Sequence, residues 1–490
     1  MGDKHVVIVG AGPGGLTAGM ILARRGFKVS IFEKNDRVGG RNRTLELDRY
    51  IFDLGPTFLM MKFLLDDVFE LAGRQSGDYL HFDFLDPMYA LNFGDKRIEV
   101  TTDHERLKQQ IASHFPGEEK GLDEFLRIEK RRYEKMEPCL KKDYSQFSAM
   151  LSKEMRSALP YLSLGKSLFS NLGRYFTSEQ LRICFTFQAK YLGMSPWLCP
   201  AAFTIIPYVE HAHGIWHVRG GLSRISEAMA RVVEEHGGTI HLNHAVKRIL
   251  VKNGTAEGVE LTGGEKITAD AVVINADFAH AMNTLFEPGV LKKYTPDRLR
   301  KRPFSCSTFM LYLGLDKCYP EPHHAIHFAP DYRKNIEDIA VHKRVSENLS
   351  IYVRNADVTD PTLSPEGHSA LYVLAPVTNN TSGIDWPKIQ DQVRAQIMTT
   401  LKTRTSMSDI EQHIIAERVI TPTDWERDDV YLGATFNLAH NIGQMLYFRP
   451  HNKFEEVDRC YLVGGGTHPG SGLPTIYESG RISADLICGK

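Results

Sequence analysis

The opening of this 490-residue chain constrains its fold most, because a buried-strand pattern runs straight into a cluster of glycines. His5 to Val9 is a β-branched run suited to a strand covered on both faces. Gly10-Ala11-Gly12-Pro13-Gly14-Gly15 follows, and Leu16, Ala18, Met20, Ile21 and Ala23 then recur at helical spacing up to Arg25. Gly26 closes that helix as a C-cap, Lys28 to Phe32 forms a second strand, and Glu33 stands directly after it. The unit is a β-α-β of about 30 residues with G-x-G-x-x-G at its strand–helix junction. Gly10 allows the tight turn, Gly12 lets the backbone approach a pyrophosphate, and Gly15 lets the helix pack close to the strand. Gly14 belongs to the same turn. The helix N-terminus offers free N–H groups to phosphates, and Glu33 lies where a carboxylate accepts hydrogen bonds from a ribose. The implied fold class is α/β with α+β elements, built on a Rossmann-type dinucleotide-binding domain.

The glycine fingerprint alone does not separate NAD from FAD. The residues after it do: Glu33, Lys34 and then Gly39-Gly40-Arg41 spell E-x5-G-G-R, a tight loop whose arginine can pair with a pyrophosphate. Phe52-Asp53-Leu54-Gly55-Pro56-Thr57 adds a rigid Gly-Pro corner after a short strand. On these residues, Val6 to Thr57 resembles the FAD-binding start of the flavin amine oxidase and carotenoid desaturase superfamily, its phytoene desaturase branch in particular. Arg49 departs from that pattern, where a glycine is expected in the hairpin turn. Near the other end, Gly464-Gly465-Gly466-Thr467-His468-Pro469-Gly470-Ser471-Gly472-Leu473-Pro474-Thr475 follows a strand at Arg459 to Val463 and precedes a helix from about Ile476 to Ile487. This string resembles the closing signature of bacterial-type phytoene desaturases. The resemblance implies FAD as cofactor, held by Gly10, Gly12, Gly14, Gly15, Glu33, Lys34, Gly40, Arg41, Gly55, Pro56 and Thr57. It further implies Gly465, Gly466, Leu473, Pro474 and Thr475 at the flavin, and Val246 touching the adenine through its backbone. His468, in a Pro-Gly corner, reads as structural. No catalytic base is identifiable, and Glu210, beside His211, is only a candidate proton acceptor.

Composition narrows the setting. A formal net charge of −1 argues against a nucleic-acid partner, which needs excess cations, and 42% hydrophobic residues exclude a disordered chain. Seven dispersed cysteines form no C-x-x-C and read as reduced thiols, and no His/Cys cluster has metal-ligand spacing. The apolar start is broken by glycines and closed by Glu33-Lys34, so it does not read as an export signal. Gly2 lacks the downstream Ser or Thr of an acylation site, since Val6 stands there, and Cys488 is misplaced for prenylation.

Between the motifs, Gly121 to Lys142 is an amphipathic helix whose basic run (Arg127, Lys130, Arg131, Arg132, Lys135) reads as a solvated or headgroup-facing surface. A second basic cluster, Lys292 to Arg302, is opposed locally only by Asp297. Pro196, Pro200 and Pro207 predict short bent helices. The resemblance implies a discontinuous FAD-binding domain (1–75, 214–285 and 435–490) interwoven with a substrate and membrane-associating domain of mixed sheet and helices (76–213 and 286–434). The resemblance implies a desaturase of a C30 or C40 carotenoid precursor, working on a long apolar polyene at a membrane surface. The protein would be cytoplasmic and peripherally attached, with oxygen or a quinone as electron acceptor. An oxygenase, isomerase or saturase of the same fold, and a non-catalytic prenyl-lipid carrier, stay open.

Overall fold

The computed structural model describes residues 4–489, apart from the Tyr191 side chain; Gly2, weighed above for acylation, lies outside them. Five parallel strands form the sheet that the opening motif demands: β1 (His5–Val9), β2 (Lys28–Phe32), β3 (Thr239–His241), β4 (Ala271–Ile274) and β5 (Cys460–Leu462), in the order β3-β2-β1-β4-β5. Two long excursions, between β2 and β3 and between β4 and β5, leave this sheet and return to it. Val6, Val7 and Ile8 are wholly buried because helices and a second layer cover both faces. Helix α1 (Pro13–Arg24) is buried from Pro13 to Ala23, packed between α2 (Ser223–Glu235) and α3 (Leu473–Ile487). A Cβ on Gly480 of α3 would meet the Gly14 carbonyl at 2.6 Å, so the two helices cross almost backbone to backbone. α3 begins three residues before the expected Ile476, since Pro474 in its first turn has no N–H to leave unpaired.

The second body is a seven-stranded sheet in the order Ile414–Ile420, Ser307–Leu315, Ser369–Val377, Ile351–Asn355, His324–His327, Tyr89–Phe93, Lys96–Val100. Strand Ser307–Leu315 is buried throughout, and its alternation explains why. Phe309, Leu311, Leu313 and Leu315 pack under helix Trp386–Arg404, while Met310 and Tyr312 face Tyr50, Phe52 and Leu54 of the cofactor lobe. Each such fully buried side chain contributes about 1.5–3 kcal/mol, so this strand, second from the sheet edge, ties the sheet to the cofactor lobe.

Two expectations about charge need correction. Helix Glu119–Leu140 does not present its whole basic run to solvent: Glu129 (0% exposed) and Arg132 (3%) pair inside it at 2.9 Å. Arg132 also donates to the Ala201 carbonyl and Tyr175 to Glu129, so this pair staples the helix to the short bent segments that follow. The Lys292–Arg302 cluster is answered across space in part, at its Lys292–Tyr294 end, while Arg298, Arg300 and Lys301 stay exposed. Glu456 accepts the backbone N–H groups of Lys292, Lys293 and Tyr294, and Lys293 pairs with Glu455 at 2.6 Å. Local counting of acids missed partners more than 150 residues away in sequence.

Candidate cofactor-binding site

At the C-terminal edge of the parallel sheet, two glycine turns converge on one polar side chain. Asn275, the residue after β4, donates its amide to the carbonyls of Gly10 (2.9 Å) and Gly12 (3.1 Å). Gly10 sits at φ +94°, a conformation open to glycine, and its N–H closes on the Phe32 carbonyl at 2.8 Å. A Cβ on Gly15 would meet the Gly10 carbonyl at 2.6 Å, and one on Gly14 would meet the Gly464 nitrogen at 3.2 Å. The opening and closing glycine runs, over 440 residues apart, therefore line one cradle. Asn275 carried no signal beyond its place at the end of a buried apolar strand.

The remaining expected residues arrange along this cradle. Glu33 is 3% exposed and accepts from Ala11 N–H (2.8 Å), Asn35 N–H (3.0 Å) and the Asn35 amide (2.6 Å), which fixes its carboxylate at the end of β2. The segment leading to Val246 is tethered beside it, with His244 N–H on the Glu33 carbonyl and Asn243 N–H on the Asn35 carbonyl. Lys34 turns away and pairs with Asp429 at 2.6 Å and Asp428 at 3.5 Å. Gly39 (φ +109°) and Gly40 return the loop under Gly12, and Gly39 N–H donates to the Ala11 carbonyl at 2.8 Å.

Arg41 leaves that loop and donates to the Thr435 carbonyl at 3.0 Å; Asn437, with its amide oriented to suit its neighbours, bridges Arg41 and Asp277. Burial pushes the Asp277 carboxyl above its ordinary range, and Arg41, 3.8 Å away, counteracts it. A Cβ on Gly55 would strike the Arg41 carbonyl at 2.5 Å, so the Gly55-Pro56-Thr57 corner rests directly on the arginine turn.

The closing loop is held by a buried arginine. Arg449, 0% exposed, donates to the carbonyls of Gly465 (2.6 Å), Thr467 (3.0 Å) and Gln444 (3.1 Å), and burial lowers its pKa to about 9. Gly466 has no room for a side chain because Phe278 abuts it. Leu473, Pro474 and Thr475 form the first turn of α3, and the Thr475 hydroxyl donates to the Gly470 and Gly472 carbonyls. The unpaired N–H groups of that turn give the cradle a positive end. His468 is buried edge-on to Tyr144, and burial drives its pKa down to about 3, which keeps it neutral and fits a structural part. Glu210 is also fully buried, on helix Ile205–His213, and accepts from Tyr89 (2.9 Å) and Gln188 (2.7 Å).

A dinucleotide fits this cradle because its floor is backbone that no side chain could share. Its carboxylate end at Glu33 suits a ribose, its N–H-rich turns suit a pyrophosphate, and the α3 N-terminus suits a ring that gathers negative charge. Among the described residues there is no group of three His, Cys, Asp or Glu side chains that could hold a metal ion.

Comparison with known proteins agrees with this geometry. The chain is 55% identical over 488 residues to a 4,4'-diapophytoene desaturase (4,4'-diapolycopene-forming) of Methylomonas sp., covering 99% of this chain and 96% of that one. It is 35% identical to an all-trans-zeta-carotene desaturase of Myxococcus xanthus, covering 99% and 93%. Among solved structures, putrescine oxidase shares the fold at a TM-score of 0.66 and 15% identity, covering 100% of this chain and 99% of that one. The family of flavin containing amine oxidoreductases matches residues 13–488. A parallel sheet whose first glycine turn is held by Asn275 beside Gly464, with that match along nearly the whole chain, settles the assignment: the chain belongs to the flavin-containing amine oxidoreductase family.

Proposed function

We propose that this flavin-dependent oxidoreductase desaturates a C30 carotenoid precursor of the diapophytoene type. The observation that carries the reading is the 55% identity to a diapophytoene desaturase over 99% of the chain, with every turn of the cofactor cradle present. Bound FAD supplies a two-electron hydride acceptor. The protein's part is to bind and orient it: Glu33 at the ribose, the Gly12 and Gly40 turns and Arg41 at the pyrophosphate, and the first turn of α3 at the ring. The wholly buried strand Ser307–Leu315 and the aromatic residues around the Gly55-Pro56-Thr57 corner keep water from the reacting carbon. In this reading the cofactor domain comprises residues 1–75, 214–285 and 435–490, and the substrate domain the remainder.

A C30 polyene resides in a bilayer, and one face of the protein supports docking there. Phe147, Leu151, Leu159, Leu164, Ile442 and Phe448 are each at least 48% exposed, and the Phe147 and Tyr447 rings meet at 5.4 Å, which brings the two segments together. Lys153, Arg156 and Lys166 stand exposed among them, suited to anionic headgroups. Tyr144, next to this face, packs on His468, so the face lies over the closing loop of the cradle. No described helix is long and apolar enough to cross a membrane. We place the protein on the cytoplasmic face of a membrane, with oxygen or a quinone as terminal acceptor.

The test is incubation of the FAD-loaded protein in liposomes with diapophytoene and, separately, with its C40 counterpart. Loss of hydrogen pairs with new long-wavelength absorbance in the C30 products supports the reading. Added oxygen makes the protein an oxygenase, unchanged mass with altered absorbance an isomerase, and gained hydrogen a saturase. Binding without any product makes it a carrier.

A further inference from the structure

Three tyrosines on adjacent strands of the seven-stranded sheet reach the corner that follows Arg41. Tyr312 donates to the Leu54 carbonyl at 2.6 Å, Tyr372 donates to the Gly55 carbonyl at 2.9 Å, and the Tyr352 oxygen lies 2.7 Å from Thr57 Oγ1. The first two bonds end on backbone and have one possible direction. The third continues, because the Tyr352 oxygen is also 2.8 Å from His324 Nδ1. The Phe58 ring stacks on the His324 ring at 4.2 Å and holds it in that orientation.

The direction of this chain is set by its far end. His324 Nε2 is buried with no hydrogen-bond partner among the described residues. A buried N–H without an acceptor is rarer and costlier than a bare nitrogen without a donor, so the hydrogen belongs on Nδ1. His324 then donates to Tyr352, Tyr352 donates to Thr57, and the Thr57 hydrogen is left to point away from the sheet. A doubly protonated ring is opposed by its surroundings. His324 is buried, lies beside His323 (rings 4.3 Å apart), and faces His217 and Arg354, whose partners Asp360 and Asp53 are already engaged; its pKa is lowered well below the ordinary range.

We propose that Tyr352 and His324 are positioning residues that make the Thr57 hydroxyl a hydrogen-bond donor toward the ring of the bound flavin. The order of the cradle supports the ring as target: Glu33 marks the ribose end, the Gly12 and Gly40 turns the pyrophosphate, and the corner carrying Thr57 lies beyond them against the sheet of the substrate lobe. A donor there favours the electron-rich, reduced cofactor. The proposal rests on the flavoenzyme reading but not on the choice of substrate.

The experiment is the midpoint potential and visible spectrum of bound FAD, recorded without substrate, in wild-type protein and in Tyr352→Phe, His324→Leu, His324→Asn and Thr57→Val. With FAD retained, Tyr352→Phe, His324→Leu and Thr57→Val are expected to lower the reduced-to-oxidised ratio at a fixed potential about tenfold, close to 30 mV for a two-electron couple. His324→Asn, whose amide N–H replaces the Nδ1 donor, is expected to keep the wild-type potential. Unchanged potentials in Tyr352→Phe and Thr57→Val overturn the proposal. So does an equal shift in His324→Asn and His324→Leu, which assigns His324 to packing. Loss of FAD from Tyr352→Phe and Thr57→Val alike also overturns it, because a hydroxyl's direction does not decide occupancy. The expected pattern of shifts, with no C30 product formed, refutes only the substrate assignment.

Discussion

Replacing Gly15 by alanine probes the junction on which the cofactor site depends. The new Cβ would lie 2.6 Å from the Gly10 carbonyl oxygen, 2.8 Å from Asn275 Nδ2 and 3.0 Å from Asn275 Cβ. Gly15 is in the helical region, so no backbone strain enters and the effect is purely steric. Two of the three obstacles belong to one side chain, whose displacement breaks its bonds to the Gly10 and Gly12 carbonyls. Overpacking costs about 1–3 kcal/mol, and the two amide bonds about 1 kcal/mol each, for a total of about 3–5 kcal/mol. The displaced turn is the one proposed to meet the pyrophosphate, so a loss of about 2–3 kcal/mol should appear as roughly 30–150-fold weaker FAD binding. Fluorescence titration of apoprotein with FAD reads the affinity, and denaturant unfolding reads the stability. Asn275→Ala alone should weaken both, and the double variant Gly15→Ala/Asn275→Ala should lose less than the sum, since removing the Asn275 amide removes atoms that the new Cβ would strike. Strictly additive losses, or Gly15→Ala binding FAD as wild type does, would refute the reasoning. Gly26→Ala is the control: its Cβ meets nothing within 4 Å, and only its φ of +85° opposes the change.

Buried charge and exposed surface set three further outcomes. Burial alone would raise the Asp360 pKa, but hydrogen bonds from His217, Thr362 and Gly220 outweigh it and hold the carboxyl below its ordinary range. Its ionised form therefore stabilises the fold above about pH 4, and that contribution fades as pH falls further; Asp360→Asn should cost about 2–3 kcal/mol at pH 7 and converge on wild type in acid unfolding curves. Burial pushes Lys190 down to about 7, so its charged form opposes folding at low pH and the opposition lifts between pH 7 and 10. Lys190→Met should be about 1–4 kcal/mol more stable at pH 7, with the difference closing toward pH 10 in denaturant titrations; a constant difference would disprove the assignment. Phe147→Asp/Leu151→Asp/Phe448→Asp should sediment with anionic vesicles at least tenfold more weakly while retaining FAD, and unaltered vesicle binding would remove this face as the docking surface.

The parts of this protein that were legible in its sequence are those where backbone geometry leaves one choice of residue or a short-range pattern suffices. Gly10 at φ +94°, Gly15 against a carbonyl, the β-branched strand His5–Val9 and the spacing to Glu33 all act within a β-α-β unit of neighbouring residues. They determined the parallel sheet, and with the closing glycine string they marked the two glycine runs that line the cradle. What only the tertiary structure decided is which distant side chains complete those turns. Asn275 ends an ordinary apolar strand, Arg449 is one basic residue among 59, and Tyr312, Tyr352 and Tyr372 become a set only when their strands pair. The same holds for charge: Lys293 looked solvated until Glu455, 162 residues away, was placed beside it. Local sterics are written along the chain, whereas hydrogen-bond and ion-pair partners are assigned by long-range packing, which carries no fixed spacing for a reader of sequence to find.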